Sequence, residues 1–435
     1  MTAIPALGPE TALPLSVPVE TTLDNGLRVT VYPHSATGLV DAGLRFNGAG
    51  APMAAADLLA STALTGTADL DQEAIAARLQ GMGGSLGVGS SADHLTLRGS
   101  ALSENTAGLF DTMADILTGA RYPEHEFDTE QKRLVDSLSV AEKEASYVVG
   151  RELNARLWPD HPYGHQDPTS AEVEAVTQAD VAALHRDRLG PDGAEFILVA
   201  DTDPDVLLSQ VKAIFGEWDG GRAFPPNAAL PAWQKKPLLL RHRDNSVQSA
   251  IRVAAPAVGR THPDNAAQQL ANLVYGGYFS SRLVANLREE KGYGYSPRSS
   301  VHHRPAGSVQ VSYVDVANDV TAPALEETYR ELDGLTANPP TRDELDQARN
   351  YALGSLRLAL ASQGGLAGYA TTLAADGLPL SWIGEHAENL QRVTVDDVVR
   401  VAGERLSSAQ SVTVVLGDRD ATAAGLADLG EIEEA

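Results

Sequence analysis

The chain has 435 residues, of which 58 are acidic and 33 are basic, which gives a formal net charge of −25 at pH 7. This acidic excess argues against binding to nucleic acid or to an anionic membrane surface, because like charges repel. The sequence contains no cysteine, which excludes disulfides, thiolate metal sites and a thiol nucleophile, and which fits the cytoplasmic location that we predict.

The first twenty residues, MTAIPALGPETALPLSVPVE, contain several prolines but no basic stretch and no uninterrupted apolar core. Such a segment is typical of a flexible tail and not of a secretory signal peptide. No apolar run further along approaches the ~20 residues that a transmembrane helix requires. A chain of this length is expected to hold two or more domains, because one hydrophobic core rarely serves so many residues.

Elements of the first half follow from the spacing of its apolar residues. Strands are predicted at LVDAGLRFN (39–47) and HLTLRGSAL (94–102). A helix is predicted near residues 54–64, and a longer one near 124–145. The glycine-rich segment GMGGSLGVGSS (81–91) lacks the lysine of a phosphate-binding loop, so it is predicted to form a turn and a weak strand start.

The second half contains corresponding elements. Strands are predicted at SAIRVAAP (249–256) and SVQVSYVD (308–315), and helices near 263–274 and at Arg342–Leu360. Residues 176–201 and 393–418 align without a gap at an offset of 394 − 177 = 217 residues. The identical pairs are Val176/Val393, Thr177/Thr394, Asp180/Asp397, Val181/Val398, Arg188/Arg405, Leu189/Leu406 and Asp201/Asp418. In each copy the threonine is predicted to cap a helix that leads into a β-rich run.

This repeat predicts an α+β protein of two homologous lobes, each a largely antiparallel sheet with helices packed on one face. The predicted lobes span residues 21–216 and 238–435. Residues 217–237, EWDGGRAFPPNAALPAWQKKP, are rich in glycine and proline and are predicted to be an interdomain linker. Two such lobes are expected to form a cleft, or the half of a clam-like chamber.

The stretch YGGYFSSRLVANLREEKGYGYS (275–296) resembles the C-terminal signature of the pitrilysin/insulinase-type zinc peptidases, the inverzincins. LDNGLRVTVYP (23–33), HPYG (161–164) and the internal duplication fit the same family. The resemblance implies that Arg288 and Tyr295 hold the scissile carbonyl of a peptide and stabilise its tetrahedral intermediate. Locally, Arg288 is predicted on an amphipathic helix, and Tyr295 on a strand that follows a left-handed Gly292. Spacing alone leaves an alternative, in which Arg288 pairs with a glutamate of its own helix and Tyr295 is a core residue.

The zinc site that the family carries in its first half is missing from this sequence. The family motif H-x-x-E-H places two histidines and a general base on one helix. Counting back from Gly66-Thr67 puts Asp57, Ala60 and Ser61 at these three positions. The family's third ligand, a glutamate, corresponds to Ser137 in the segment TEQKRLVDSLSVAEKE (129–144). Glu142 and Glu144 lie nearby, but a lone carboxylate cannot hold zinc.

The remaining histidines do not offer a replacement site. His161 and His165 are four residues apart in HPYGH, where a proline and a glycine predict a loop instead of a helix face. His302 and His303 are adjacent, so in a strand they point to opposite faces. We therefore expect no metal and no other cofactor in this chain.

Three hypotheses follow from a retained Arg/Tyr pair beside a lost zinc motif. In the first, the chain is the non-catalytic subunit of a heterodimeric peptidase and presents Arg288 and Tyr295 to zinc bound in a homologous partner. In the second, it is a silent peptide-binding or scaffold protein of the same fold. In the third, it is an active enzyme with unrecognised ligands. We favour the first; a peptide is then the substrate, and the isolated chain is expected to be inactive and able to form a homodimer.

Overall fold

The structure, a computed structural model, describes residue 13, residues 15–34 and residues 38–434. Of the tail expected over residues 1–20, residues 1–12 and residue 14 lie outside the described part. The end of that segment enters the first strand, β1 (Val19–Thr22). No helix among the described residues has both the length and the apolar character needed to cross a membrane.

The first lobe contains a six-stranded sheet in the order β1-β2-β6-β3-β5-β4. Only β2 and β6 run parallel among its described neighbours, so the predicted, largely antiparallel sheet is confirmed. After β1, its strands are β2 (Arg28–Pro33), β3 (Leu39–Asn47), β4 (Ser85–Ser90), β5 (His94–Leu102) and β6 (Glu195–Ala200). Both predicted strands, β3 and β5, have the expected bounds. The glycine-rich segment forms the turn and the strand β4, as predicted.

The first lobe also contains helices, and all of them except α5 (Ala145–Leu157) pack on one face of this sheet around a core of leucine, valine and phenylalanine. They are α1 (Met53–Thr62), α2 (Gln72–Gly81), α3 (Thr106–Gly119), α4 (Glu124–Ala141), α5 (Ala145–Leu157), α6 (Ser170–Glu174), α7 (Gln178–Arg188) and α8 (Pro204–Phe215). Short 3₁₀ turns occupy Ser103–Asn105 and Pro162–His165.

The long helix predicted over residues 124–145 is confirmed at its start, but α4 ends four residues earlier than predicted, at Ala141, and Ala145 already begins α5. The carboxylate of Glu142 turns away to accept hydrogen bonds from the backbone N–H and the hydroxyl of Ser170, at 2.7 and 2.9 Å. Glu144 then adopts an extended backbone, with φ −82° and ψ 129°, before α5 begins. This change of direction lets α5 pack against the other lobe.

The second lobe contains a six-stranded sheet in the order β12-β7-β11-β8-β10-β9. Its strands are β7 (Leu238–His242), β8 (Gln248–Ala257), β9 (Arg298–Arg304), β10 (Gly307–Ala317), β11 (Val412–Gly417) and β12 (Ile432–Glu434). Five strands follow the topology of the first sheet, with β7, β11, β8, β10 and β9 in the places of β2, β6, β3, β5 and β4. The edges differ, since β12 is parallel to β7 whereas β1 is antiparallel to β2.

The second lobe also contains helices, and all of them except α13 (Gln363–Ala375) pack on one face of its sheet. They are α9 (Asn265–Asn272), α10 (Arg282–Val284), α11 (Thr321–Ala337), α12 (Arg342–Leu360), α13 (Gln363–Ala375), α14 (Trp382–Arg392), α15 (Val395–Arg405) and α16 (Arg419–Ala427). Helix α12 has its predicted bounds. The helix predicted near 263–274 begins at Asn265 and changes at Leu273 into a π-helical turn, Leu273–Gly277. A second π-helical turn occupies Ala285–Glu290, and 3₁₀ turns occupy Asn318–Val320 and Ser408–Gln410.

The repeat is also visible in how two helices begin. Thr177 caps α7 and Thr394 caps α15. Each threonine hydroxyl accepts a hydrogen bond at 3.2 Å from the backbone N–H three residues on, and that residue, Asp180 or Asp397, binds back to the threonine. This reciprocal capping satisfies N–H groups that the first helical turn leaves unpaired. The capping predicted from the aligned segments is confirmed.

Each sheet is covered on its second face by a helix of the opposite lobe. Helix α5 packs Val149 and Leu153 against Ala254 and Val414 of the second sheet. Helix α13 packs Leu366 and Ala370, among others, on the face of the first sheet that carries Ile197 and Val199. The two lobes of the described chain are therefore joined by reciprocal apolar packing, which stabilises one fixed arrangement.

Residues 217–237 contain no helix or strand, and they run along both lobes. The side chain of Asn227 donates a hydrogen bond to Ala92 O at 2.8 Å, in the first lobe. The indole N–H of Trp233 donates to Gln410 O at 2.7 Å, in the second lobe. The segment is thus anchored at several points, while the domain boundaries on either side of it stay predictions.

Candidate functional site

Arg288 lies on the second π-helical turn, directly after α10. Leu283 and Leu287 are fully buried in the core of the second lobe, which confirms the apolar side predicted for this segment. The amphipathic helix predicted here is present, but from Ala285 onward its turns are π-helical and not α-helical. A π-helical turn changes the direction of the side chains that it carries, and such turns are frequent at functional sites.

Gly292 ends this segment with φ at +66°, in the left-handed region, as predicted. The carbonyl oxygen of Leu287 accepts hydrogen bonds from the N–H groups of Tyr293 at 2.8 Å and Gly294 at 3.3 Å. Tyr295 comes three residues before β9, so its predicted place within the strand is wrong. Its side chain is 80% exposed, which contradicts the alternative that it belongs to the core.

The guanidinium carbon of Arg288 lies over the ring of Tyr295, 5.1 Å from its centroid. It also lies over the ring of Phe279, at 4.6 Å, and Phe279 is 66% exposed. The alternative pairing with a glutamate holds in part, since Nε of Arg288 is 3.3 Å from a carboxylate oxygen of Glu289. Among the described residues, neither Nη nitrogen of Arg288 has a hydrogen-bond or ion-pair partner. Arg288 and Tyr295 therefore present free donors at the surface.

Arg282, six residues before Arg288, has a structural role in this lobe, because its donors are paired. It donates to both carboxylate oxygens of Glu344, at 2.8 and 3.0 Å, and to Asn338 O at 2.7 Å. These hydrogen bonds lower the pKa of the Glu344 carboxyl to about 2. Arg282 is thus held by its own lobe, whereas Arg288 keeps most of its donors free.

The turn that carries Phe279 is fixed by close backbone packing. A Cβ at Gly276 would lie 2.9 Å from the side chain of Ser299, and one at Gly277 would lie 2.8 Å from the side chain of Asn272. Ser299 and Asn272 are themselves joined by a buried hydrogen bond of 2.7 Å. Gly276 therefore allows the π-helical turn to lie directly against β9, and Gly277 allows it to lie close to the end of α9.

The degenerate metal positions lie on α1, the helix where the family motif is expected. Asp57 accepts a hydrogen bond of 2.5 Å from the hydroxyl of Ser90 on β4, and burial raises the pKa of its carboxyl. Ser61 donates its hydroxyl to Leu58 O at 3.1 Å, and Ala60 offers no ligand atom. This set provides one carboxylate and no imidazole, so it does not fit zinc.

The expected third position does not complete such a site. Ser137 is exposed on α4, Glu142 is bound to Ser170, and Glu144 is the N-cap residue of α5. No group of three or more histidine, aspartate or glutamate side chains in the described part of the chain is arranged to hold a metal ion.

The histidines singled out in the sequence have structural contacts. His161 is buried in the 3₁₀ turn region, where Nε2 lies 3.0 Å from Ala228 O. His165 places Nε2 2.7 Å from Pro159 O. On β9, His302 contacts the hydroxyl of Tyr313 and His303 contacts the hydroxyl of Ser308, at 2.6 and 3.0 Å.

The structure does not bring the Arg288/Tyr295 pair into contact with the degenerate metal positions on α1. The side chain of Arg288 contacts Phe279, Glu289 and Tyr295 in the second lobe. The hydrogen bond of Asp57 lies within the first lobe. Sequence reasoning missed Phe279. The signal was available in YGGYFSSR, where a phenylalanine stands in a polar, glycine-rich turn.

Family models match most of the chain in two segments. The model of the insulinase family, peptidase family M16, matches residues 40–166, and the model described as the peptidase M16 inactive domain matches residues 175–351. An uncharacterized zinc protease of Mycobacterium bovis is 25% identical to this chain over 420 residues, which are 92% of this chain and 93% of that protein.

Solved structures share the fold. The peptidase M16 inactive domain from Pseudomonas fluorescens has a TM-score of 0.85 and 22% identity, covering 92% of this chain and 98% of that one. A periplasmic protease of Escherichia coli has a TM-score of 0.79 and 15% identity, covering 95% of this chain but 47% of that one. The chain belongs to peptidase family M16, the insulinase family, as a homologue without the H-x-x-E-H motif.

Proposed function

We propose that this chain is the non-catalytic, substrate-binding subunit of a heterodimeric metallopeptidase. A homologous partner chain with an intact H-x-x-E-H motif binds zinc and cleaves a peptide. This chain supplies Arg288 and Tyr295, whose N–H and O–H donors bind the scissile carbonyl and the negative charge that develops on its oxygen. It binds no metal of its own and cleaves nothing alone.

One observation carries this proposal, the exposure of both donors. Tyr295 is 80% exposed, and the side chain of Arg288 is 30% exposed with both Nη nitrogens unpaired among the described residues. Such a group loses hydration when a partner covers it, and it regains hydrogen bonds only if an acceptor is supplied. Donors aimed at a developing oxyanion accelerate a reaction only where a nucleophile attacks, and here that nucleophile must come from another chain.

The length of the E. coli structure supports pairing. This chain covers 47% of that periplasmic protease, so a second segment of similar length is present in the same polypeptide there. We propose that in the present protein the second segment is a separate subunit. The lobes of this chain are already packed on each other, so the chamber forms between the two subunits.

The test is kinetic and requires a zinc-bearing M16 chain from the same genome as the partner. Arg288→Ala and Tyr295→Phe are each expected to lower the turnover of a peptide substrate by the pair about 10- to 1,000-fold, without dissociating the pair. Arg342→Ala serves as the matched control, since the Arg342 side chain is 91% exposed in the same lobe. This control is expected to keep wild-type turnover.

Two results would contradict the proposal. Equal turnover in Arg288→Ala, Tyr295→Phe and the wild type would remove the role of the pair and favour a silent peptide-binding or scaffold protein. Peptidase activity of the purified chain alone, with about one equivalent of zinc, would make it an enzyme in its own right.

A further inference from the structure

We propose that Phe279 is a positioning residue for Arg288, holding its guanidinium group toward the carbonyl of a bound peptide. The inference rests on the proposed function, because it assigns a means of orientation to one of the two donors. Phe279 lies exposed on the turn between the two π-helical segments.

The exposure of Phe279 requires a physical reason, since moving an apolar ring out of water lowers the free energy of the protein. Phe279 is 66% exposed, and its ring contacts no other aromatic ring in the described part of the chain. The contact that it does make is with Arg288, whose guanidinium carbon lies 4.6 Å from the ring centroid. That distance is within the range of a favourable cation–π interaction.

An aromatic partner suits a donor that must stay free. A carboxylate would accept the N–H hydrogens of the guanidinium and neutralise its charge. A ring attracts the cation through the negative face of its π-system, so the N–H donors stay available to a third group. The arrangement agrees with this distinction, because Arg288 has one carboxylate contact, from Nε to Glu289, and two ring contacts.

Contacts on both sides of Phe279 hold its turn in one conformation, so the ring can hold the guanidinium group of Arg288 in place. The ring of Tyr278, the preceding residue, packs at a tilt against the ring of Tyr351 of α12, with 5.2 Å between ring centroids. The backbone N–H of Ser281 donates to Tyr278 O at 3.1 Å, which closes the turn around Phe279. Just before this turn, Gly276 lies in close contact with Ser299 of β9. A flexible arginine that contacts such a ring loses part of its conformational freedom before substrate arrives.

A first experiment needs no partner chain. In protein labelled with ¹⁵N at the arginine Nε, the Arg288 resonance is assigned by its loss in Arg288→Lys. We expect Phe279→Leu to remove the contribution of Phe279 to the ring-current shift of Arg288 and to leave that of Tyr295, while Phe279→Trp retains an aromatic contribution at position 279. Phe224→Leu is the matched control, since Phe224 lies under a different arginine, Arg188, with 3.3 Å between guanidinium carbon and ring centroid. It is expected to leave the Arg288 resonance unchanged.

A second experiment measures peptide turnover by the pair. Phe279→Leu is expected to lower kcat about 2- to 5-fold with little change in KM, the size of an exposed cation–π contact. Phe279→Trp and Phe279→Tyr are expected to recover wild-type kcat, which a purely structural role of the ring would not require.

The two experiments separate the inference from the proposed function. Unchanged Arg288 resonances in Phe279→Leu, or equal kcat in Phe279→Leu and Phe279→Trp, would overturn the positioning role even if Arg288→Ala impairs the pair. If Arg288→Ala has no effect on turnover, the proposed function fails and the positioning role fails with it, whatever the resonances show.

Discussion

The hydroxyl of Ser90 donates a hydrogen bond of 2.5 Å to the carboxylate of Asp57, joining α1 to the edge strand β4. In this family the side chain at position 57 would be the first histidine of the zinc motif. Here it is an acid whose pKa is raised by burial, partly offset by the bond from Ser90. Helix α1 packs against β4, and the side chain at the position of a metal ligand makes a hydrogen bond within the lobe.

This bond leads to a prediction about stability. Because the pKa of Asp57 is raised in the folded state, the folded chain binds more protons than the unfolded chain near that pKa, so stability falls as pH rises through it. Asp57→Asn is therefore expected to be at least as stable as the wild type at pH 7. Asp57→Ala leaves the Ser90 hydroxyl without this acceptor and is expected to cost about 1 kcal/mol. Urea unfolding at pH 5 and pH 7 measures both; a less stable Asp57→Asn at pH 7 would contradict the argument.

Much of the fold could be predicted from sequence because its signals are local. The alternation in LVDAGLRFN and HLTLRGSAL gave the bounds of β3 and β5, and the two aligned segments gave the capped helices α7 and α15. What could not be predicted depends on contacts distant in sequence. The break before α5 follows from a bond between Glu142 and Ser170 and from packing on the opposite sheet.

Some features of the candidate site could likewise be predicted from the sequence, and others depend on contacts between segments. Arg288, Tyr295 and the left-handed Gly292 follow from a motif and from the conformational freedom of glycine. The π-helical turn at Ala285–Glu290 and the contact of Phe279 with Arg288 do not, because they arise from how two turns pack against β9 and α11. The spacing of apolar residues predicts a helix in such a segment. It does not show whether the backbone hydrogen bonds are the i→i+4 bonds of an α-helix or the i→i+5 bonds of a π-helix.

Gly292 supplies a second prediction. A Cβ at this position would meet no atom within 4 Å, so the cost of Gly292→Ala comes from its φ of +66° and not from crowding. We expect a loss of about 1 kcal/mol in the free energy of unfolding, and a smaller loss for Gly292→Asn, since asparagine tolerates the left-handed region. Gly354→Ala is the matched control, because Gly354 lies within α12 with equally open space and should gain about 0.5–1 kcal/mol. Chemical denaturation measures all three, and equal effects of the two alanine variants would contradict the assignment.

Buried histidines predict a loss of stability in acid. Burial lowers the pKa of His94, His303 and His386 to about 4, with further lowering by Arg45 or Arg260. The unfolded chain binds these protons near pH 6.5, so stability is complete above that pH and falls as pH drops toward 4. Each histidine contributes a slope of up to about 1.4 kcal/mol per pH unit in this window.

The measurement is the free energy of unfolding between pH 7 and pH 4.5. His386→Gln retains an amide that can bond to Gln269, the present partner of His386 at 2.7 Å, and should lower the slope. The double variant His303→Gln/His386→Gln should lower it further. A slope that does not change in the double variant would show that other groups govern the acid transition.

The last prediction concerns motion between the lobes. The linker is anchored to both lobes at Asn227 and Trp233, and α13 covers the first sheet, so we expect no hinge within the chain. Gly43 on β3 and Thr371 on α13 offer a test, because a Cβ at Gly43 would lie 3.6 Å from the hydroxyl oxygen of Thr371. A cysteine sulfur in place of that hydroxyl oxygen would therefore lie within reach of a cysteine at position 43, and the sequence holds no other cysteine to compete.

Gly43→Cys/Thr371→Cys is therefore expected to form its disulfide in the folded chain under mild oxidation, seen as a mobility shift on a non-reducing gel. Because the bond would join surfaces that stay in contact, the oxidised and reduced forms should support equal peptide turnover by the pair, with Gly43→Cys alone as the control. Turnover that recovers only after reduction would mean that the lobes separate during the reaction. In that case opening would occur within this subunit, and the reciprocal packing of α5 and α13 would have to break and reform in each cycle, at the cost of exposing two apolar faces.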